Sequence, residues 1–169
     1  MAGFAYRKNL LTKDAPTILR FIIDNSDVVS IGDAMSINTD GHAILGAASD
    51  EILGIAVGVV DKNGLPIAPD SGTTDTYTMD SDNETVDQNE VEVVVDKYSL
   101  FYNDSSGTLA TTNLMQFFDL TDEDQINQGT ASDASGQFQL ISLDPDGDGD
   151  VSKGLFRIAE SVLDPYTQD

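Results

Sequence analysis

Short apolar runs rich in Val, Ile and Leu alternate along the whole chain with clusters of Asp, Asn, Ser, Thr and Gly. β-Branched runs of this length, bounded by turn residues, predict strands, and almost nowhere does the spacing follow the period of an amphipathic helix. The first predicted strand is Thr17–Ile23, after Pro16, and Asp24–Asp27 is a turn cluster. Gly32-Asp33 can turn the chain before a strand at Ala34–Asn38. Asp40-Gly41 then separates that strand from the apolar run His42–Ala48. Asp-Gly at such a junction predicts a hairpin on a type I′ turn, which needs positive φ at both central residues. Further strands are predicted at Ile52–Val60, Glu90–Asp96, Tyr98–Tyr102 and Leu114–Leu120. Gln137–Leu143 and Leu155–Glu160 both alternate, and they predict a long hairpin across the connector Asp144–Gly154. Thr121–Ile126 reads differently, as one helical turn with Thr121 as N-cap and acids in its first turn.

Residues 61–89 interrupt this pattern. They are rich in Asp, Thr, Ser, Gly, Pro and Asn, with one short strand candidate at Thr76–Met79. A loop this long is uncommon inside a compact domain, so the stretch is expected to be an inserted excursion or a protruding flap. Eight to ten short strands with turn signals between them predict an all-β chain, a single β-barrel or sandwich-like domain. No repeat of fixed period is present.

A chain of 169 residues fits one domain, and one of this size can bury roughly 70% of its unfolded surface. It contains no cysteine, which excludes a disulfide or a thiolate metal site. No segment approaches the roughly 20 apolar residues of a membrane-spanning helix, and the first residues carry no apolar run of the signal-peptide kind. Synthesis in a cytoplasm and no membrane partner are therefore expected. Thirty acids against eight bases give a net charge of −22, which repels phosphate backbones and argues against nucleic acid as a partner. The bases are unevenly spread: Arg7, Lys8, Lys13 and Arg20 face only Asp14 within the first twenty residues. Interleaved with Phe4, Tyr6, Leu10 and Leu11, they suggest an N-terminal arm over residues 1–16 ahead of a β domain over 17–169. Steering charge beside apolar anchors is what a protein interface needs. Phe4, Tyr6, Arg7, Lys8, Leu10, Leu11 and Lys13 are accordingly the candidate partner-binding residues.

Candidate chemistry is sparse. His42 is the single histidine, placed beside a hairpin turn without a nucleophile motif around it. No catalytic residue is assigned and an enzyme is not expected. The sharpest motif is Asp144-Pro-Asp-Gly-Asp-Gly-Asp-Val-Ser152, whose carboxylates on alternate residues (Asp144, Asp146, Asp148, with Asp150 following) can converge on a hard cation as in an EF-hand loop. The match fails at the twelfth position, where Leu155 replaces the bidentate Glu, and the flanks are strand-like. The loop is therefore expected to be a solvated acidic connector, with weak calcium binding the alternative reading, and no cofactor is expected.

Two parts of the chain resemble head proteins of tailed bacteriophages. One is Val29-Ser-Ile-Gly-Asp-Ala-Met-Ser-Ile-Asn-Thr-Asp-Gly-His-Ala-Ile-Leu-Gly-Ala-Ala48 followed by Ile52-Leu-Gly-Ile-Ala-Val57, a "Gly-Asp-x-hydrophobic" strand, an Asp-Gly turn and a "Leu-Gly-hydrophobic-Ala" strand. The other runs from Phe117-Phe-Asp-Leu-Thr-Asp-Glu-Asp-Gln-Ile126 through Gly136–Leu143 to Lys153-Gly-Leu-Phe-Arg-Ile-Ala-Glu-Ser161. The resemblance implies a head decoration, or cement, protein: a β-rich virion subunit bound to the major capsid protein on the capsid outer surface, commonly as a homo-trimer, and stabilising the shell. Other readings stay open, namely a minor capsid, head-completion or tail-tube subunit, or a calcium-assisted adhesion or surface-layer module.

Overall fold

The computed structural model describes residues 3–10, 15–48, 50–96, 98–143, 147 and 151–159. In chain order the strands are β1 (Ala5–Asn9), β2 (Ile18–Ile22), β3 (Val28–Ser30), β4 (Ala34–Ile37), β5 (Ala43–Leu45), β6 (Gly54–Val60) and β7 (Thr76–Thr78). They continue with β8 (Glu90–Val94), β9 (Ser99–Asp104), β10 (Phe117–Phe118), β11 (Leu120–Asp122), β12 (Gln125–Ile126), β13 (Phe138–Leu143) and β14 (Lys153–Ile158). Among the described residues the helical segments are two 3-10 turns, at Thr111–Asn113 and Gln128–Thr130. The chain is all-β, and two five-stranded antiparallel sheets pack face to face as a sandwich.

The sheet ordered β2-β8-β6-β4-β5 is rolled. Its last strand returns to its first through a parallel bridge between Ile23 and Ala43. Alternation then sends side chains to two different cores. Ile23, Met35, Ala43, Ala56, Val59, Val91 and Val93 fill the inside of the roll, while Ala34, Ile55 and Val94 face the other sheet. Ala56 and Val59 can share one face because a bulge lies between Ala56 and Gly58; the extra residue reverses the side-chain parity. Gly54 lies where β6 crosses β8, and a Cβ there would collide with the Val93 side chain and the Val94 carbonyl.

The second sheet, ordered β1-β9-β14-β13-β10, supplies Phe101, Phe118, Phe138, Leu140, Phe156 and Ile158 to the core between the sheets. Phe118 and Phe156 meet edge to face at 6.0 Å between ring centroids, a favoured aromatic geometry.

Residues 61–89 are neither a loose loop nor a flap. β7 pairs with β3, Met79 is buried in the core of the roll, and Asn83 is fully buried. The Asn83 amide donates to the Ile23 carbonyl at 2.7 Å and its Oδ1 accepts from the Asn89 N–H at 2.9 Å. The excursion is a cover that seals one opening of the roll. Its polar composition reflects turns held by Asp side chains: Asp61 Oδ1 accepts from the N–H groups of Asn63 and Leu65, and Asp70 accepts from the Thr78 hydroxyl at 2.7 Å.

Two local expectations are corrected. Thr121–Ile126 is no helical turn but a tight hairpin in which Leu120 pairs with Ile126. Both residues are fully buried. A hairpin places their side chains together, whereas in a helix a separation of six residues would splay them by about 120°. The Asp40-Gly41 hairpin forms, but on a three-residue loop closed by the Asn38 N–H to the His42 carbonyl at 2.9 Å. Gly41 alone in that loop has positive φ, at 88°. The Asn38 side chain accepts from the N–H groups of Asp40 and His42, holding this longer loop in place of the two-residue turn.

Candidate functional site

Residues 5–9 of the expected arm run as β1, an edge strand of the second sheet, hydrogen-bonded to β9. Phe4 is 4% exposed and stacks on Phe138 at 4.6 Å. Tyr6 packs edge to face on Phe101 at 6.1 Å. Gly3 and Gly32, both at positive φ, let the two backbones touch, and the Phe4 N–H donates to the Gly32 carbonyl at 2.7 Å. Over these residues the chain belongs to the body rather than to a separate arm. Of the apolar residues that suggested an interface, Phe4 and Tyr6 are consumed by the fold itself, whereas Leu10 stays exposed.

The polar residues of the same segment face the other way. A bulge between Tyr6 and Lys8 leaves Arg7 as the extra residue, and its guanidinium lies 5.0 Å over the Tyr102 ring, a cation–π contact. Arg7, Lys8 and Leu10 are exposed. Leu11 and Lys13 lie outside the described residues.

Register extends this surface across the sheet. Ala5 pairs with Tyr102 and Tyr102 with Leu155, while Lys8 pairs with Leu100. Phe101 and Phe156 point into the core, so Tyr102, Leu155 and Arg157 point away from it. Arg157 pairs with Gln139, and its Nε donates to the Gln139 Oε1 at 2.8 Å. Gln139 in turn donates to the Met115 carbonyl at 2.8 Å. Leu100 and Gln139 are buried in this row, and Arg7 and Lys8 are exposed at its rim. The five strands of this sheet carry four bases (Arg7, Lys8, Lys153 and Arg157) and one acid, Asp104. Arg157 and Lys153 were not singled out from sequence. For Arg157 the signal was available in the alternation of Leu155–Glu160, but only the pairing of β14 with β9 brings both residues onto the sheet that β1 edges.

Two acidic clusters lie elsewhere. Asp33, on the turn before β4, accepts from the Ser30 N–H at 2.6 Å. Its carboxyl is pushed up to about 6, first by burial and further by the charges of Glu123, Asp124 and Asp75. Asp124 is likewise raised to about 6, by burial and then by Asp122. The second cluster surrounds His42, whose Nδ1 is 3.0 Å from the Glu84 carboxylate without the alignment of a hydrogen bond. Asp24, held by Glu84 first and then by Asn38, is lowered, and Asn38 donates to it at 2.7 Å. These contacts tie the β4–β5 hairpin to the cover.

Among the described residues no group of three or more His, Cys, Asp or Glu is arranged to hold a metal ion. Asp144, Asp146, Asp148 and Asp150 lie outside the described residues. No helix among the described residues is long and apolar enough to cross a membrane. Set against protein-family models, curated proteins and solved structures, the chain matches none of them.

Proposed function

We propose that this chain is a structural subunit of a virus particle, a decoration protein bound to the outer surface of a tailed-phage capsid and stabilising it. The observation that carries this reading is where the two phage-like stretches fall in the fold. The first, Val29–Val57, supplies β4, β5 and most of β6, three of the five strands of the roll. The second, Phe117–Ser161, supplies β10, β13 and β14, three of the five strands of the facing sheet. The resemblance thus contributes strands to both layers; it leaves out β1, β2, β8 and β9 as well as the 61–89 cover. A binding role suits a body whose acids lie mainly in turns and whose bases gather on one sheet.

Copy number in purified particles tests the reading. Gel densitometry should give hundreds of copies per particle, as expected for a subunit that follows the symmetry of the shell. A head-completion protein would give on the order of a dozen copies, and absence from the particle would end the proposal. A homo-trimer on the particle is the expected arrangement, visible as density around threefold or pseudo-threefold axes.

A further inference from the structure

We propose that the outward face of the five-stranded sheet, from Arg7 and Lys8 on β1 across Tyr102 and Leu155 to Arg157, is a docking surface for an acidic protein surface. The inference rests on the function proposed above, in which that surface is the outside of the capsid shell.

Charge segregation carries it. The whole chain holds thirty acids and eight bases, yet four of those bases and a single acid lie on the strands of this one sheet. The cover over 61–89 is the reverse, with seven acids and one base. A face so unlike the remainder of the surface orients the molecule in the field of a charged partner, turning its cover away from acidic neighbours.

The composition of the face selects a protein over a polyanion. Tyr102 and Leu155 stand between the cationic groups, and Met115, whose carbonyl accepts from Gln139, is 57% exposed. Aromatic, Arg and Met side chains around a partly apolar centre are typical of protein interfaces. A nucleic acid would need a longer basic track to offset a body of net charge −22. The guanidinium of Arg7 is held on the Tyr102 ring and that of Arg157 on Gln139. Ordered cations of this kind lose less freedom on binding than mobile lysines. The bulge at Arg7 and the charges of Arg7 and Lys8 also discourage a further strand from adding to the β1 edge. The partner is thus met by the face and not by edge pairing.

The test mixes purified chain with heads of its virus assembled without it, and measures co-sedimentation as salt is varied. Wild type should bind, more weakly as salt rises. The double variant Arg7→Glu, Lys8→Glu should lose about tenfold or more in affinity. Arg157→Gln, which keeps a hydrogen-bonding side chain beside Gln139, should lose less but measurably. Lys62→Glu, on the cover, should bind within about twofold of wild type. Circular dichroism and thermal melting verify that each variant is folded. Folded double and Arg157 variants that bind like wild type would overturn the face as the docking surface while leaving the decoration role intact. Failure of wild type to bind any head would overturn the functional reading, and the docking proposal with it. Loss of self-association with head binding unchanged would assign the face to contacts between copies. Retention of wild type on duplex DNA, lost in the variants, would assign it to nucleic acid; either result overturns the proposal.

Discussion

Asp33 is ionised at neutral pH against the preference of its surroundings. It is 5% exposed, and burial, with Glu123, Asp124 and Asp75 nearby, lifts its carboxyl from 3.8 to about 6. The folded state therefore holds this proton more tightly than the unfolded chain does. The resulting stability is present in full below about pH 4 and is lost as the pH rises through about 6. Asp124, raised in the same sense, adds to the trend. Asp24 is lowered and acts only on the acid side of 3.8, where protonating it costs stability. Thermal melting should thus peak near pH 4 to 5 and fall toward pH 7. Asp33→Asn keeps an acceptor for the Ser30 N–H and removes the charge. It should stabilise the protein at pH 7 by about 1–2 kcal/mol and flatten the pH profile; an unchanged profile would show that Asp33 does not set it. The Gly32-Asp33 turn was legible from its residue types alone. Its electrostatics were not, because Glu123 and Asp124 reach Asp33 only through the fold, where the Glu123 carbonyl accepts from the Ala34 N–H at 2.7 Å.

Elements were legible where period and punctuation agree. The predicted strands at Ile52–Val60, Glu90–Asp96, Gln137–Leu143 and Leu155–Glu160 are β6, β8, β13 and β14 to within a few residues. The β11–β12 hairpin was missed because acids after a Thr read equally well as a helix start, and the burial of Leu120 and Ile126 that decides the matter depends on partners distant in sequence. The cover was missed for a related reason. It closes the roll with few apolar residues, chiefly Met79, and with hydrogen bonds of buried Asn83. Asn83→Ala should leave the Ile23 carbonyl and the Asn89 N–H without their partner and cost about 2–3 kcal/mol in chemical denaturation. If 61–89 were a free flap, that substitution would be neutral. β1 bears a similar prediction. Phe4→Ala should cost about 3–5 kcal/mol, and removal of residues 1–9 should abolish the cooperative melt by stripping one edge of a sheet. A truncated protein with the melt of wild type would restore the picture of an arm.

At the scale of the molecule, net charge −22 means that the folded state compresses like charges. Monovalent salt should therefore raise the melting temperature, by about 3 °C for each kcal/mol of repulsion screened. A melting temperature independent of salt would show that the acids are far enough apart in the fold to ignore one another. Calcium should add nothing beyond its ionic strength: Asp146→Asn with Asp148→Asn should melt alike with and without it, since Leu155 stands where the closing ligand would be. A calcium-specific drop of several degrees in that variant would establish a metal site in the connector. The arrangement of β14 has a further consequence, for biosynthesis. This strand, the last in the described chain, inserts between β9 and β13 and pairs with both. Until it leaves the ribosome, β9 and β13 each expose a long unsatisfied edge, and the aromatic core of that sheet lacks Phe156 and Ile158. The sheet can be completed only once residues 153–158 have emerged, and its closure is dominated by distant pairings, which fold slowly. A nascent chain stalled before residue 153 should be held by chaperones or degraded, and ribosome-bound intermediates of that length should be far more sensitive to protease than chains released whole.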